Sequence, residues 1–99
     1  MARQFDLYRT ADGDFVVVLQ SDLLEDLSTR AVCLAMPESR QVPGFAALSP
    51  VLTAGDVRLR IVPHVVATLT VAELGTFVLS LAHERDRIIR AIDLMLTGA

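Results

Sequence analysis

Lysine and tryptophan are absent from this 99-residue chain, and cysteine occurs once. A lone cysteine makes neither an intramolecular bridge nor a thiolate cluster, which excludes disulfide scaffolds and zinc modules. His64 and His83 are the only histidines and lack metal-ligand spacing, so no metal and no cofactor are expected. The five glycines are scattered and form no phosphate-binding loop. No Gly-x-Ser-x-Gly elbow supports a catalytic triad. With no lysine, nine arginines face twelve acids for a net charge of −3, which argues against a broad basic face for nucleic acid. Long apolar runs are missing too. The longest uncharged stretch, Gln41 to Gly55, contains Pro43 and Pro50 and falls short of a membrane span. The first residues lack the apolar core of a signal peptide, so a cytoplasmic protein without membrane contact is expected.

What is present is a core. Hydrophobic residues make up 53% of the chain and charged ones 21%, a globular composition. No linker or repeat interrupts residues 1–99, which read as one domain. The first two-thirds has strand character. Phe5 and Leu7 alternate with polar neighbours, Ala11-Asp12-Gly13-Asp14 is a turn signal, and Phe15 to Leu19 is a continuous apolar run. These predict a hairpin of 4–8 with 15–20, the second strand buried on both faces. Ser21 to Leu27 is a polar loop carrying three leucines, and Arg30 to Met36 is a further strand. Val42 to Ala47 suggests a turn or short helical piece around Pro43-Gly44.

A second hairpin is expected from Val51–Thr53 and Val57–Ile61, with Val57, Leu59 and Ile61 facing the core and Arg58 and Arg60 facing water. Pro63 demotes the residues after it to an edge or a turn, although Val65-Val66 and Leu69 to Val71 have room for one more short strand. From about Val71 the apolar period lengthens. A helix is predicted over 83–96 with a shorter one near 72–80, and Gly98 stands at the cap position. Ile88, Ile89, Ile92, Leu94, Met95 and Leu96 exceed one core-facing stripe, which predicts a homodimer. Cys33, inside an apolar strand, reads as a small buried hydrophobe. Arg58 and Arg60 read as a solvated strand face rather than as an RNA-cleaving surface of the MazF type.

Several strings in fixed order carry a resemblance. They are Gln4-Phe5 with Leu7-Tyr8, Gln20-Ser21-Asp22-Leu23-Leu24, Pro50-Val51 with Gly55-Asp56 and Arg58, then Ile88 with Ala91 to Met95 and Gly98. Together they resemble the CcdB toxins over essentially the whole chain. The resemblance implies a mainly β (α+β) fold, an SH3-like barrel or antiparallel sheet of the CcdB/MazF toxin type with a C-terminal α-helix. It implies a non-enzymatic homodimer that binds the DNA gyrase A subunit and traps the gyrase–DNA cleavage complex without direct DNA contact. A CcdA-like antitoxin would neutralise it.

The same resemblance assigns gyrase binding to Gln4, Phe5 and Tyr8, to Ser21, Leu23 and Leu24, and to the tail residues Asp93, Thr97, Gly98 and Ala99. The tail departs from the family pattern. Thr97 replaces a tryptophan, Ala99 an isoleucine and Asp93 an asparagine. The alternative is therefore a relative that keeps its dimer and antitoxin but has lost or changed the gyrase target.

Overall fold

In the computed structural model the structure describes residues 2–38 and 49–98, with Ala54 described by its backbone alone. The expected turn or helical piece at Val42 to Ala47, and Ala99 of the tail, lie outside these residues. Six strands form one antiparallel sheet: β1 (Asp6–Arg9), β2 (Phe15–Val18), β3 (Thr29–Pro37), β4 (Val51–Ala54), β5 (Val57–Thr70) and β6 (Thr76–Ser80). Their spatial order is β4-β5-β3-β2-β1-β6. One helix, α1 (Arg85–Thr97), closes the chain, and single 3₁₀ turns occupy Asp22–Leu24, Ala72–Leu74 and Ala82–Glu84. This is the mainly β half-barrel with a C-terminal helix that the sequence predicts.

Side chains alternate across the sheet with the strand period of two, and both faces are apolar. Leu7, Val17, Cys33, Ala35, Leu59 and Ile61 join Ile88 and Ala91 of α1 in one core. Tyr8, Val16, Val18 and Val32 pack with Ala2 and Leu74 in a second core on the opposite face. The run at β2 is thus buried on both sides, as expected of unbroken β-branched residues. Phe5 sits just before β1 at φ 70°, an uncommon place for an aromatic residue. It is held by its N–H donating to the Val18 carbonyl (2.7 Å), its carbonyl accepting from Leu81 N–H (2.8 Å), and burial of its ring in the first core.

Four expectations are corrected. First, β5 runs through Pro63 instead of stopping there. The β3 pairing steps from Cys33↔Val66 to Leu34↔Val62, so Pro63, His64 and Val65 form a bulge where no proline N–H is required. Second, the segment near 72–80 is a single 3₁₀ turn followed by β6, paired with β1. Its Thr76-Phe77-Val78 run has β propensity, and Gly75 breaks the helical period at φ 85° and ψ −130°. Third, Val57 lies exposed at the open end of its hairpin, whereas Leu59 and Ile61 are buried as expected. Fourth, Arg60 is half-buried and donates to the Ser49 carbonyl (2.7 Å), while Arg58 stays at the surface beside Glu38.

Two glycines test this geometry by contrast. A Cβ on Gly75 would overlap the Arg9 backbone as well as occupy a strained φ/ψ. Gly98 closes α1 in the left-handed conformation, its N–H donating to the Leu94 carbonyl (2.9 Å), with open space where a Cβ would go. Gly75→Ala is expected to cost about 3 kcal/mol. Gly98→Ala should cost only about 1 kcal/mol. Urea unfolding of the two variants checks the order; equal losses would contradict the close approach at Gly75.

Candidate functional site

The β2–β3 connection is a built loop. Gln20 lies at its entry and Arg30 at its exit, and both tie it from within. Gln20 Nε2 donates to the carbonyls of Leu24 (3.2 Å) and Thr29 (3.1 Å), and its Oε1 accepts from Ala31 N–H (3.1 Å). Arg30, only 4% exposed, donates through Nε to the Ala2 carbonyl (3.2 Å) and through Nη1 to Leu27 (2.6 Å) and Thr29 (2.9 Å). Its Nη2 reaches the Glu25 carbonyl (3.1 Å). Five donors on a rigid fork let one side chain hold both the loop and the N-terminal segment.

The N-terminal segment returns the contact. Gln4 N–H donates to Asp22 Oδ1 (2.8 Å), and Ser21 Oγ accepts from Leu23 N–H (3.2 Å), capping the 3₁₀ turn. On this frame Leu23 is 93% exposed, Leu24 50% and Leu27 51%. An ordered loop spends its internal hydrogen bonds on presenting three leucines to solvent, which is the signature of a contact surface rather than a core.

The sequence-named residues thus fall into three places. Gln4, Ser21, Leu23 and Leu24 come together in this loop assembly. Phe5 and Tyr8 are interior residues of the first and second core and support it from below. Asp93, Thr97 and Gly98 lie at the exposed end of α1, which packs against β5, and the Thr97 hydroxyl donates to the Asp93 carbonyl (2.8 Å). Along the same helix Ile89, Ile92, Leu94 and Met95 are half-buried and Leu96 is 70% exposed.

Three titratable side chains depart from their ordinary ionisation. Burial pushes the Cys33 thiol up to about 12, so it stays protonated and inert at neutral pH. Burial, and then the charge of Asp6, raise the Tyr8 hydroxyl against an opposing pull from Arg30. The Thr70 backbone and hydroxyl hold the Glu73 carboxyl below its usual range in a reciprocal cap over Ala72–Leu74. Among the described residues, no group of three or more His, Cys, Asp or Glu is placed to hold a metal. No helix among them is long and apolar enough to cross a membrane.

One surface is not foreshadowed by any sequence motif. On the second face of the sheet an open groove of about 390 Å³ has a floor of Val16, Val32, Leu34, Ala67 and Leu69. Asp12, Asp14 and Glu73 stand among its lining residues. Its floor comes from three strands, β2, β3 and β5, so only the register that aligns them reveals it.

Arg30→Met would leave the Ala2, Glu25 and Leu27 carbonyls without their donor, while Thr29 keeps Gln20, and is expected to cost about 3 kcal/mol. It should also speed amide exchange across residues 21–29. Arg3→Met removes only an exposed pair with Asp22 (3.8 Å) and should cost less than about 1 kcal/mol. Urea unfolding with hydrogen exchange separates the two; matching profiles would sink the clamp.

Among curated proteins none matches this sequence. Two solved structures share its fold. An endoribonuclease in complex with its cognate antitoxin, from a Mycobacterial species, superposes with a TM-score of 0.78 at 13% identity, covering 97% of this chain and 95% of that one. An endoribonuclease from a Mycobacterial species gives 0.77 at 12% identity, covering 95% and 89%. At such identities the likeness is one of fold and carries no activity with it. The family profile described as CcdB protein matches residues 4–98, from the N-terminal segment through the helix cap. By that match the chain belongs to the CcdB family.

Proposed function

We propose that the protein is the toxin of a toxin–antitoxin pair, a cytoplasmic homodimer of one domain per chain. In this reading it binds the DNA gyrase A subunit, holds gyrase on cleaved DNA and performs no catalysis of its own. The observation that carries the reading is the hydrogen-bonded loop displaying Leu23, Leu24 and Leu27, on a chain that belongs to the CcdB family. A poison of this kind needs a shape and a few anchors rather than tuned pKa values. Trapping follows from binding one state of the target more tightly than the others.

The proposed contact surface combines Gln4, Ser21, Leu23 and Leu24 with the tail residues Asp93, Thr97, Gly98 and Ala99, while Phe5 and Tyr8 hold it in place. A two-fold dimer presents this surface twice to a two-fold target. The apolar flank of α1 around Leu94 to Leu96 supports the second copy. The acid-lined groove on the other face suits an antitoxin arm that alternates apolar and basic residues.

The decisive experiment is a cleavage-complex assay with host gyrase, ATP and plasmid. Linear DNA is expected to accumulate after detergent and protease, and Leu23→Asp should abolish it. Thr97→Trp with Ala99→Ile is expected to tighten binding at least about tenfold, since a buried aromatic anchor is commonly worth about 2 kcal/mol or more. If only the tail-restored variant yields linear DNA, the chain has kept dimer and antitoxin binding with a changed target. The endoribonuclease fold relatives motivate one parallel arm: cleavage of a plain RNA substrate by the wild type would replace the gyrase reading with an enzymatic one.

The antitoxin half is tested separately. Ala67→Glu adds charge and bulk to the groove floor, on β5 and outside the leucine loop. It should weaken antitoxin binding about tenfold or more while leaving the gyrase effect intact. Unchanged neutralisation would place the antitoxin elsewhere.

A further inference from the structure

Three of the nine arginines converge where β4 and β5 meet α1. Arg60 comes from β5, and Arg87 and Arg90 come from one face of α1 at i and i+3. They line a cleft of about 530 Å³. Of the three, only Arg87 has a carboxylate partner among the described residues, Glu84 at 3.3 Å. Arg60 donates to the Ser49 carbonyl. Arg90, flanked in the chain by Ile89 and Ala91, makes no hydrogen bond or ion pair with the described residues. Three positive charges less one negative leave the cleft at +2, in a chain whose net charge is −3.

The wall holds a second anomaly. The Ser49 hydroxyl is buried and has no hydrogen-bond partner among the described residues, in a residue only 3% exposed. Buried polar groups are nearly always paired, but this hydroxyl is closed off from solvent and so from any ligand in the cleft, which leaves the arginines as the cleft's donors. Like charges gathered in a concavity repel each other until an anion enters.

We propose that this cleft binds a small organic phosphate. Guanidinium forks pair with carboxylate or phosphate, but two arginines without a carboxylate partner offer more N–H donors than a single carboxylate's two oxygens accept. A phosphate has enough oxygens to meet them. The volume falls in the range of small-molecule sites and exceeds what one inorganic ion fills. Pro50, Val51 and Ala91 give the remainder of the wall an apolar surface for the organic part of the ligand. No aromatic side chain lines the cleft among the described residues, so recognition rests on the phosphate and not on stacking with a base. The site goes beyond the gyrase reading: none of its lining residues belongs to the leucine loop or to the tail.

Calorimetric titration of the full-length protein at low salt tests this, with ADP, inorganic phosphate, citrate and a short single-stranded RNA as probes. Saturable ADP binding with a dissociation constant near or below about 1 mM is expected, weakening as salt is raised. Inorganic phosphate should compete more weakly, which separates an organic phosphate from the free ion. Arg90→Gln removes an exposed side chain that the fold does not need, and should weaken ADP about tenfold without moving the thermal midpoint. Absence of ADP saturation, or equal affinity in Arg90→Gln, overturns the site. Tighter citrate than ADP would make it a carboxylate site, and RNA displacing ADP at lower concentration would make it a nucleic-acid surface; either result also overturns the assignment.

Discussion

The bulge at Pro63 to Val65 is the constraint on which the other features rest. β5 pairs with β3 along the whole length of β3, yet its register slips between Val62 and Val66. A regular 14-residue strand would carry only the ordinary gradual twist of a sheet. The bulge adds local bending and twist, so the sheet curls into a half-barrel with an apolar core on each face. Before the bulge, Leu59 and Ile61 are covered by α1. After it, Ala67 and Leu69 line the open groove. One irregular step therefore separates the helix-covered stretch of β5 from the stretch that lines the groove.

The leucine loop depends on a different kind of rigidity. Its leucines keep half or more of their surface in solvent, so hydrophobic packing is not what chiefly holds it. Polar side chains do so instead, Gln20 and Arg30 at its two ends and Asp22 against the N-terminal segment. Burying the Arg30 cation without a carboxylate is costly, and four carbonyl acceptors offset that cost. The product is a surface that loses little conformational freedom when a partner covers it, which favours affinity. A stable core alone would not require this arrangement; presentation of Leu23 and Leu24 does.

Local signals made most of the fold legible. The Phe15 to Leu19 run, the Asp12-Gly13 and Gly55-Asp56 turns and the 3.6-residue period after His83 each lie within a short window, and β2, the two hairpins and α1 all form where those windows fall. The misreadings need tertiary information. Thr76 to Ser80 has apolar residues compatible with either period, and only pairing with β1 selects the strand. Pro63 is a breaker by rule, and it becomes permissible because the bulge places it off the regular ladder. Arg60 alternates like a solvated residue, but the return of the chain at Ser49 covers it. The exposure of the leucine-rich loop was legible, because leucines among acids have no core to enter. The acid-lined groove and the arginine cleft were not legible, since each gathers residues from three or more segments of the chain.

The tail and the loop can be weighed against each other for the proposed gyrase contact. A tryptophan anchor supplies a large area with few rotatable bonds, and Thr97 supplies little of either. Each leucine side chain moved from water into a contact is worth about 1.5–3 kcal/mol before ordering costs. The loop holds Leu23, Leu24 and Leu27 at half exposure or more in a frame already ordered by hydrogen bonds. Two such loops in a dimer would offer six leucines, enough apolar surface to stand in for two lost indole rings. The weight of binding would then shift from the helix end to the β2–β3 loop. Arg30 and Gln20 would set affinity from beneath the surface, with neither side chain touching the target.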